Sequence, residues 1–451
     1  MKKRRYLAVL LLAAMSLALL ASCGSKKEPV PDAPAPDAPA PSTTAPQPDV
    51  PEEDPLYTKP SEDVELQVWY AVSGVTGETF EAQVNEYMQK NPNVKIELSY
   101  AGSYADAAEK VSANLLTGTA PDVALMAAGP LYTGARGDYT IERLIQDPSF
   151  RYADTFQGIW DYAKFEGHIC AIPYGISVPV LFYNKAILNA AGIDIEKEAP
   201  KTWEELYALA EKAQANGNIN HSEAFYGFEV SDAPWLFKSM LNQAGNSIID
   251  TSSGDVVPVY NDSSAAKAAS FWQDLVNGGL MPAGEHGNAE KTFLAGNCAF
   301  IVASSIRLAR WSADPVVDFG VLPMPSFDQS SVALGGNVLV TFGDDEVKLA
   351  AAWDLIKFLC SEEKQTEFAL TTGYLPLYAS AMEGESIQAA ITEDPRRETV
   401  YEQLENAWSY WHFDEMGTMD AILADTLNSI ENGTPVQEAL DTGVEDLKRE
   451  M

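Results

Sequence analysis

The segment Val64-Glu65-Leu66-Gln67-Val68-Trp69-Tyr70 alternates apolar and polar positions and then turns wholly apolar, the pattern of a strand entering a core. A glycine-containing loop follows, from Ser73 to Gly77. Phe80, Val84, Tyr87 and Met88 then recur at helical spacing, and Asn91-Pro92 stops that helix. Val94 to Leu98 predicts a second strand, Ala105 to Leu116 a second helix, and Asp122 to Met126 a third strand. This β-α-β-α-β order predicts a mostly parallel sheet covered by helices on both faces. Ligands of such sheets sit at the carboxyl ends of the strands. Further on, Pro179 to Tyr183 reads as another buried strand. Pro200 to Glu205 opens a helix in which Thr202 and Glu205 can form a capping box, with Trp203, Leu206, Ala210 and Ala213 on one face. Later helices are predicted at 264–277, 347–361, 385–406, 418–431 and 435–450, with no short-period repeat of the solenoid type.

A chain of 451 residues suggests two or three compact units, and 46% hydrophobic residues exclude a wholly disordered chain. Four cysteines exclude a disulfide-built scaffold. Cys170, Cys298 and Cys360 lack metal-ligand spacing and read as small buried apolar residues. An excess of 65 acidic over 30 basic side chains argues against a nucleic-acid partner, because phosphate binding needs clustered Lys and Arg. An enzyme finds no support. There is no Gly-x-Ser-x-Gly elbow and no Walker loop, and His168, His221, His286 and His412 lack metal spacing. A glycosidase needs two carboxylates about 5–10 Å apart, and with so many acidic residues any pair can be imagined. No catalytic residue, cofactor or metal is therefore expected.

The N-terminus fixes the expected compartment. Lys2, Lys3, Arg4 and Arg5 precede an apolar run from Tyr6 to Ala21, the layout of a secretory signal peptide. Its end, Leu20-Ala21-Ser22-Cys23, resembles the bacterial lipoprotein box. That resemblance implies a signal peptide over 1–22, cleavage before Cys23 and acylation of Cys23. Loss of 1–22 removes four positive charges and takes the net charge from −35 to −39. Residues 26–60 hold 11 prolines in 35 residues, with Pro-Asp-Ala-Pro-Ala repeated at 31–35 and 36–40. Such a segment has nothing to bury and extends by about 3.1 Å per residue, so 23–61 reads as a lipidated tether holding the body up to roughly 100 Å from the membrane. An extracytoplasmic protein, lipid-anchored to the outer face of the cell membrane, is the expectation.

Beyond the tether, one ordered set of motifs carries a family resemblance. Ile172-Pro173-Tyr174-Gly175, Val180 to Lys185, Ala191-Gly192-Ile193-Asp194 and Pro200 to Leu206 resemble the carbohydrate group of extracellular solute-binding proteins of ABC importers. Phe293 to Phe300, Phe319 to Pro325, Gly335-Gly336, Thr372 to Pro376 and Thr434 to Asp441 continue it, with the glycerol-3-phosphate-binding proteins as the nearest group. The resemblance implies an α/β, two-lobed periplasmic-binding-protein-like fold. Each lobe would be a mostly parallel sheet flanked by helices, with the ligand cleft at the hinge. It places lobe one at 62–173 and 332–361, and lobe two at 174–331 and 362–451. It also implies a carbohydrate ligand, delivery to the transmembrane subunits of an ABC permease by lobe closure, and a monomer. A sensory or adhesion lipoprotein without a permease is the competing reading.

Sugar binding needs flat aromatic faces together with amides, hydroxyls and carboxylates. By the resemblance, Tyr104, Ser177 and Ser305 would offer hydroxyls, Gly336 a backbone amide, and Tyr374 its ring or hydroxyl. Two departures from the glycerol-3-phosphate group stand out. Ala128 occupies the place of its Glu, and Glu415 the place of its phosphate-binding Arg, with Asp414 alongside. A carboxylate repels phosphate, and a lost guanidinium removes the strongest contact available. A neutral sugar or oligosaccharide is therefore favoured over glycerol-3-phosphate or a glycerophosphodiester, with Arg307 as the residue that could substitute for the missing Arg. Trp235 follows a loop and is open to stacking or to core packing. Packing is favoured for Tyr70, Trp311, Trp408 and Trp411.

Overall fold

Val64, Leu66, Val68 and Tyr70 point into a core while Glu65 and Gln67 face solvent, so the alternation seen in the sequence becomes the first strand, β1 (Val64–Tyr70). The computed structural model describes residues 58–128, 140–165, 167–313, 315–343, 345–410, 412–413 and 415–451. The expectations for 1–57, Cys23 among them, and for Trp411 and Asp414 lie outside the described residues. After β1 come β2 (Val94–Tyr100), β3 (Val123–Met126), β4 (Ile172–Ser177) and β5 (Pro179–Asn184). Then follow β6 (Tyr226–Val230), β7 (Cys298–Ser304), β8 (Phe319–Leu322) and β9 (Gly335–Thr341).

These nine strands make two sheets. The first has the order β2-β1-β3-β9-β4, with β1 parallel to β2 and β3, and with β9 antiparallel to both β3 and β4. The second has the order β8-β5-β7-β6, with β7 parallel to β6 and β5 antiparallel to its two neighbours. All strands of each sheet but one therefore run the same way, as a mostly parallel sheet requires. The reversed strand in each is the one that enters from the other sheet. Only Val178 separates β4 from β5, and the chain returns through 323–334 to β9.

The helices are read well where caps reinforce periodicity. The first helix, α1 (Val75–Lys90), begins within the loop expected at 73–77, because Gly74 at φ 59° turns the chain there. Next, α2 (Tyr104–Thr117) starts on a capping box of Ser103 and Asp106, and α3 (Trp203–Asn216) on the anticipated box of Thr202 and Glu205. In chain order there follow α4 (Ala233–Gln243), α5 (Arg307–Ala313), α6 (Glu346–Leu359), α7 (Glu362–Thr372) and α8 (Met416–Glu431). The single helix expected over 385–406 is broken in two, Glu385–Glu393 and Arg396–Gln403, at Asp394. Pro395 excludes its predecessor from helical geometry, and Asp394 sits at φ −131°, ψ 92°.

The core is lined by aromatic rings on both sheets. Trp203 of α3 meets Phe228 of β6, and Trp311 of α5 packs against Phe182, Phe293 and Phe319. Trp311 and Tyr70 are buried, as the packing reading anticipates, and so are Cys170, Cys298 and Cys360. Among the described residues no helix is long and apolar enough to cross a membrane.

Candidate functional site

The turn after β1 opens a cavity of about 460 Å³. One wall is Ala71 to Thr76, from the first sheet's side; the other is Ile306, Arg307, Ala309, Arg310 and Ala313 on α5, which follows β7 of the second sheet. Tyr104, at the start of α2, and Thr371, Thr372 and Tyr374, at the end of α7, complete it. Both walls thus stand at the carboxyl ends of parallel strands, where main-chain groups and loop side chains converge.

Beneath the cavity the first residues of β9 gather most of the residues singled out from the sequence. Asn337 is fully buried. Its Oδ1 accepts from the Gly175 amide at 3.0 Å, and its Nδ2 lies 3.4 Å from the Tyr104 hydroxyl. Tyr104 and Tyr374 share a hydrogen bond, and Asn337 also reaches Tyr374. Burial pushes both phenols above their ordinary range, so both stay protonated and able to donate. The Tyr374 ring stacks on Phe368 of α7 at 5.5 Å, which fixes its direction.

One residue earlier, the Gly336 carbonyl accepts from the Tyr162 hydroxyl at 3.1 Å. Gly336 has φ 119°, and a Cβ there would lie 1.9 Å from the Gly175 carbonyl oxygen. Glycine is demanded by backbone approach within the sheet. Gly335 pairs with Ser177 at the end of β4. The Trp235 indole lies against Gly335, and its Nε1 donates to the Leu334 carbonyl at 3.2 Å. Trp235 is half-buried, and Asp232 caps its helix by accepting from the Trp235 amide. Trp408 belongs to the two-residue strand Ala407–Trp408 that pairs with 332–333, and Tyr410 follows it, with the two ring centroids 5.9 Å apart. Behind them the buried Lys238 ammonium sits 4.0 Å from the Tyr410 ring centroid and 2.7 Å from the Asp420 carboxylate.

Of the eight residues singled out from the sequence, Tyr104, Arg307 and Tyr374 line the cavity, while Ser177, Trp235, Ser305, Gly336 and Glu415 are not among its lining residues. Ser305 is fully buried, and its Oγ accepts from the Val178 amide at 3.3 Å, which ties it to the chain crossing. Glu415 stands half-buried before α8, makes no capping bond there and does not line the cavity. Arg307 does line it, with Nε and Nη2 on Glu290 Oε1 at 2.7 and 2.6 Å. Sequence reasoning missed Asn337 and Arg310. Nothing local marks either, since the partners of Asn337 lie 162 and 233 positions away.

Two mixed sheets, each completed by a strand delivered from the other, with a cavity walled by both, define a two-lobed binding protein. More particularly, the chain belongs to the bacterial extracellular solute-binding protein family, whose model matches residues 82–399. It is 26% identical over 407 residues to the sn-glycerol-3-phosphate-binding periplasmic protein UgpB of Escherichia coli (strain K12), covering 84% of this chain and 91% of that protein. Among solved structures it resembles the cyclic alpha-maltosyl-1,6-maltose binding protein of Arthrobacter globiformis (TM-score 0.74, 24% identity, 86% of this chain and 98% of that one). It also resembles UgpB of Mycobacterium tuberculosis in complex with glycerophosphocholine (TM-score 0.72, 21% identity, 86% and 98%).

Proposed function

We propose that this protein is the substrate-binding component of an ABC-type importer and captures a carbohydrate-class ligand in the cavity between its two sheets. The observation that carries the reading is that cavity: its walls come from the loops after β1 and β7, one from each sheet. A ligand touching both walls binds the closed arrangement better than the open one, and that difference in affinity drives closure. Tyr104, Tyr374 and Asn337 would supply hydroxyl and amide contacts, Trp235 an aromatic face, and Arg307 and Arg310 the polar rim. Ser177 and Gly336 would shape the floor.

The lobes in this reading are 62–177, through the end of β4, with 332–372, and 178–331 with the C-terminal remainder. One change concerns α7, assigned from the sequence to the second lobe. Gln83 Nε2 of α1 donates to the Lys364 carbonyl at 3.0 Å, and Phe368 meets Tyr174 of β4 at 4.6 Å, contacts that support reading α7 as part of the first lobe. The signal peptide, acylated Cys23 and Pro-rich tether would anchor the body outside the membrane beside the permease's transmembrane subunits, and the body would act as a monomer.

Titration of the full chain with neutral sugars, oligosaccharides and glycerophosphodiesters, followed by tryptophan fluorescence and small-angle scattering, tests this. Micromolar binding with a smaller radius of gyration supports it. Tight binding without compaction removes the closure mechanism, and no response to any of these compounds removes the ligand class.

A further inference from the structure

We propose that the cavity after β1 takes the anionic group of its ligand, a phosphate or carboxylate borne by a sugar or polyol, and that Arg310 is the residue that selects it. This rests on the carbohydrate reading above and narrows it.

The argument begins with charge. The chain carries 65 acidic against 30 basic side chains, so an average stretch of its surface holds about two carboxylates for each cation. The cavity reverses that ratio: its lining has two guanidiniums and no Asp or Glu. The two differ in commitment. Arg307 is paired with the Glu290 carboxylate, which opposes its charge. Arg310, three residues further along α5 and so on the same face, makes no ion pair among the described residues. It is solvent-exposed and presents an unspent, planar set of donors suited to the paired oxygens of a carboxylate or phosphate.

The opposite wall matches that chemistry. Ser73 to Thr76 bring the start of α1 to the cavity, and Gly74 at its N-cap position has no side chain to accept from the first amides. Those amides and the helix dipole favour negative charge. The floor adds the Tyr104 and Tyr374 hydroxyls, both protonated and able to donate to an anion or a sugar oxygen. The arrangement is independent of Glu415, the position at which the sequence seemed to forbid a charged ligand. The missing guanidinium of that region is replaced, from another element, by one on α5.

The test is calorimetric titration of the full chain with sn-glycerol 3-phosphate, glycerophosphocholine and glucuronate, each beside an uncharged counterpart (glycerol, glucose, maltose). At least one anionic probe is expected to bind, more weakly as NaCl rises. Arg310→Gln should weaken it at least tenfold more than it weakens any uncharged probe, and Arg310→Lys should recover part of the loss. Response to the phosphate esters or to glucuronate tells the two anion classes apart. Uncharged sugars binding while no anionic probe does, or equal effects of Arg310→Gln on both classes, would overturn the inference and leave the carbohydrate reading standing. Silence from every probe would overturn both. The melting temperature of each variant confirms that it is folded.

Discussion

Ser305 and Val178 are joined twice: the Ser305 amide donates to the Val178 carbonyl at 2.9 Å, and the Val178 amide donates to Ser305 Oγ at 3.3 Å. Val178 is the one residue between the last strand of the first sheet's N-terminal part and the first strand of the second. Removing the hydroxyl leaves a buried amide without an acceptor, a cost of about 1–3 kcal/mol. Ser305→Ala is therefore expected to lower the denaturation free energy by that amount while changing ligand affinity less than Tyr374→Phe does. Urea titration alongside calorimetry checks both. A variant of wild-type stability with lost binding would restore Ser305 to the ligand.

Gly336 admits no side chain. A Cβ would meet the Gly175 carbonyl oxygen, and φ 119° is strained for any other residue. Gly336→Ala is expected to cost more than about 3 kcal/mol. It should shift the melting temperature strongly, whether or not ligand is present.

Trp235 spans a lobe and a crossing, with its Nε1 on Leu334 and its ring on Gly335. Trp235→Ala is expected to weaken binding of a sugar by on the order of 1–3 kcal/mol, and Trp235→Phe by less, since the aromatic face survives. Isothermal titration of both variants with the best probe decides it; equal affinity in the alanine variant would move the aromatic contact to Trp408 or Tyr410.

Glu229 gives a pH dependence unconnected with binding. It lies on β6, 1% exposed, and its carboxylate oxygens make no full hydrogen bond. Burial pushes its pKa up to about 8; the Thr292 hydroxyl offsets this slightly and the charge of Glu285 adds to it. The folded state therefore binds a proton that the unfolded state has released between the ordinary carboxylate pKa and about 8. In that window stability falls as pH rises, because the unfolded chain holds fewer protons. Glu229→Gln is expected to flatten this slope. It should melt higher than wild type at pH 9 and about equally at pH 4.5, measured by differential scanning calorimetry.

The elements legible in the sequence were those whose signals are local. The helix of Trp203, Leu206, Ala210 and Ala213 announced itself through periodicity and a capping box within four residues. The helix expected through 394–395 failed for an equally local reason, the proline, outweighed there by a long run of helix formers. Site residues divide the same way. Tyr104 and Tyr374 were found through family motifs and Arg307 as a stand-in for a missing guanidinium, and all three line one cavity. Asn337 sits one residue after Gly335-Gly336 and before the apolar Val338-Leu339-Val340, and only its distant partners Gly175 and Tyr104 give it meaning. The motif that marks Ser305 as a hydroxyl does not reveal that its Oγ also accepts from the Val178 amide, a partner 127 positions away.

The reversed strands bear on how the protein is made. A chain emerging N-terminus first cannot complete its first sheet until β9, ending at Thr341, has emerged, since β3 and β4 meet only through it. Nascent residues 62–334 must therefore wait, with the edges of β3 and β4 bare, for strands that arrive late. Folding with such distant pairings is slow, and exposed edges invite pairing with other chains. A chain stopped at Leu334 should behave as an aggregating, protease-sensitive species, whereas one that runs through α7 to Thr372 should already resist protease across 62–128.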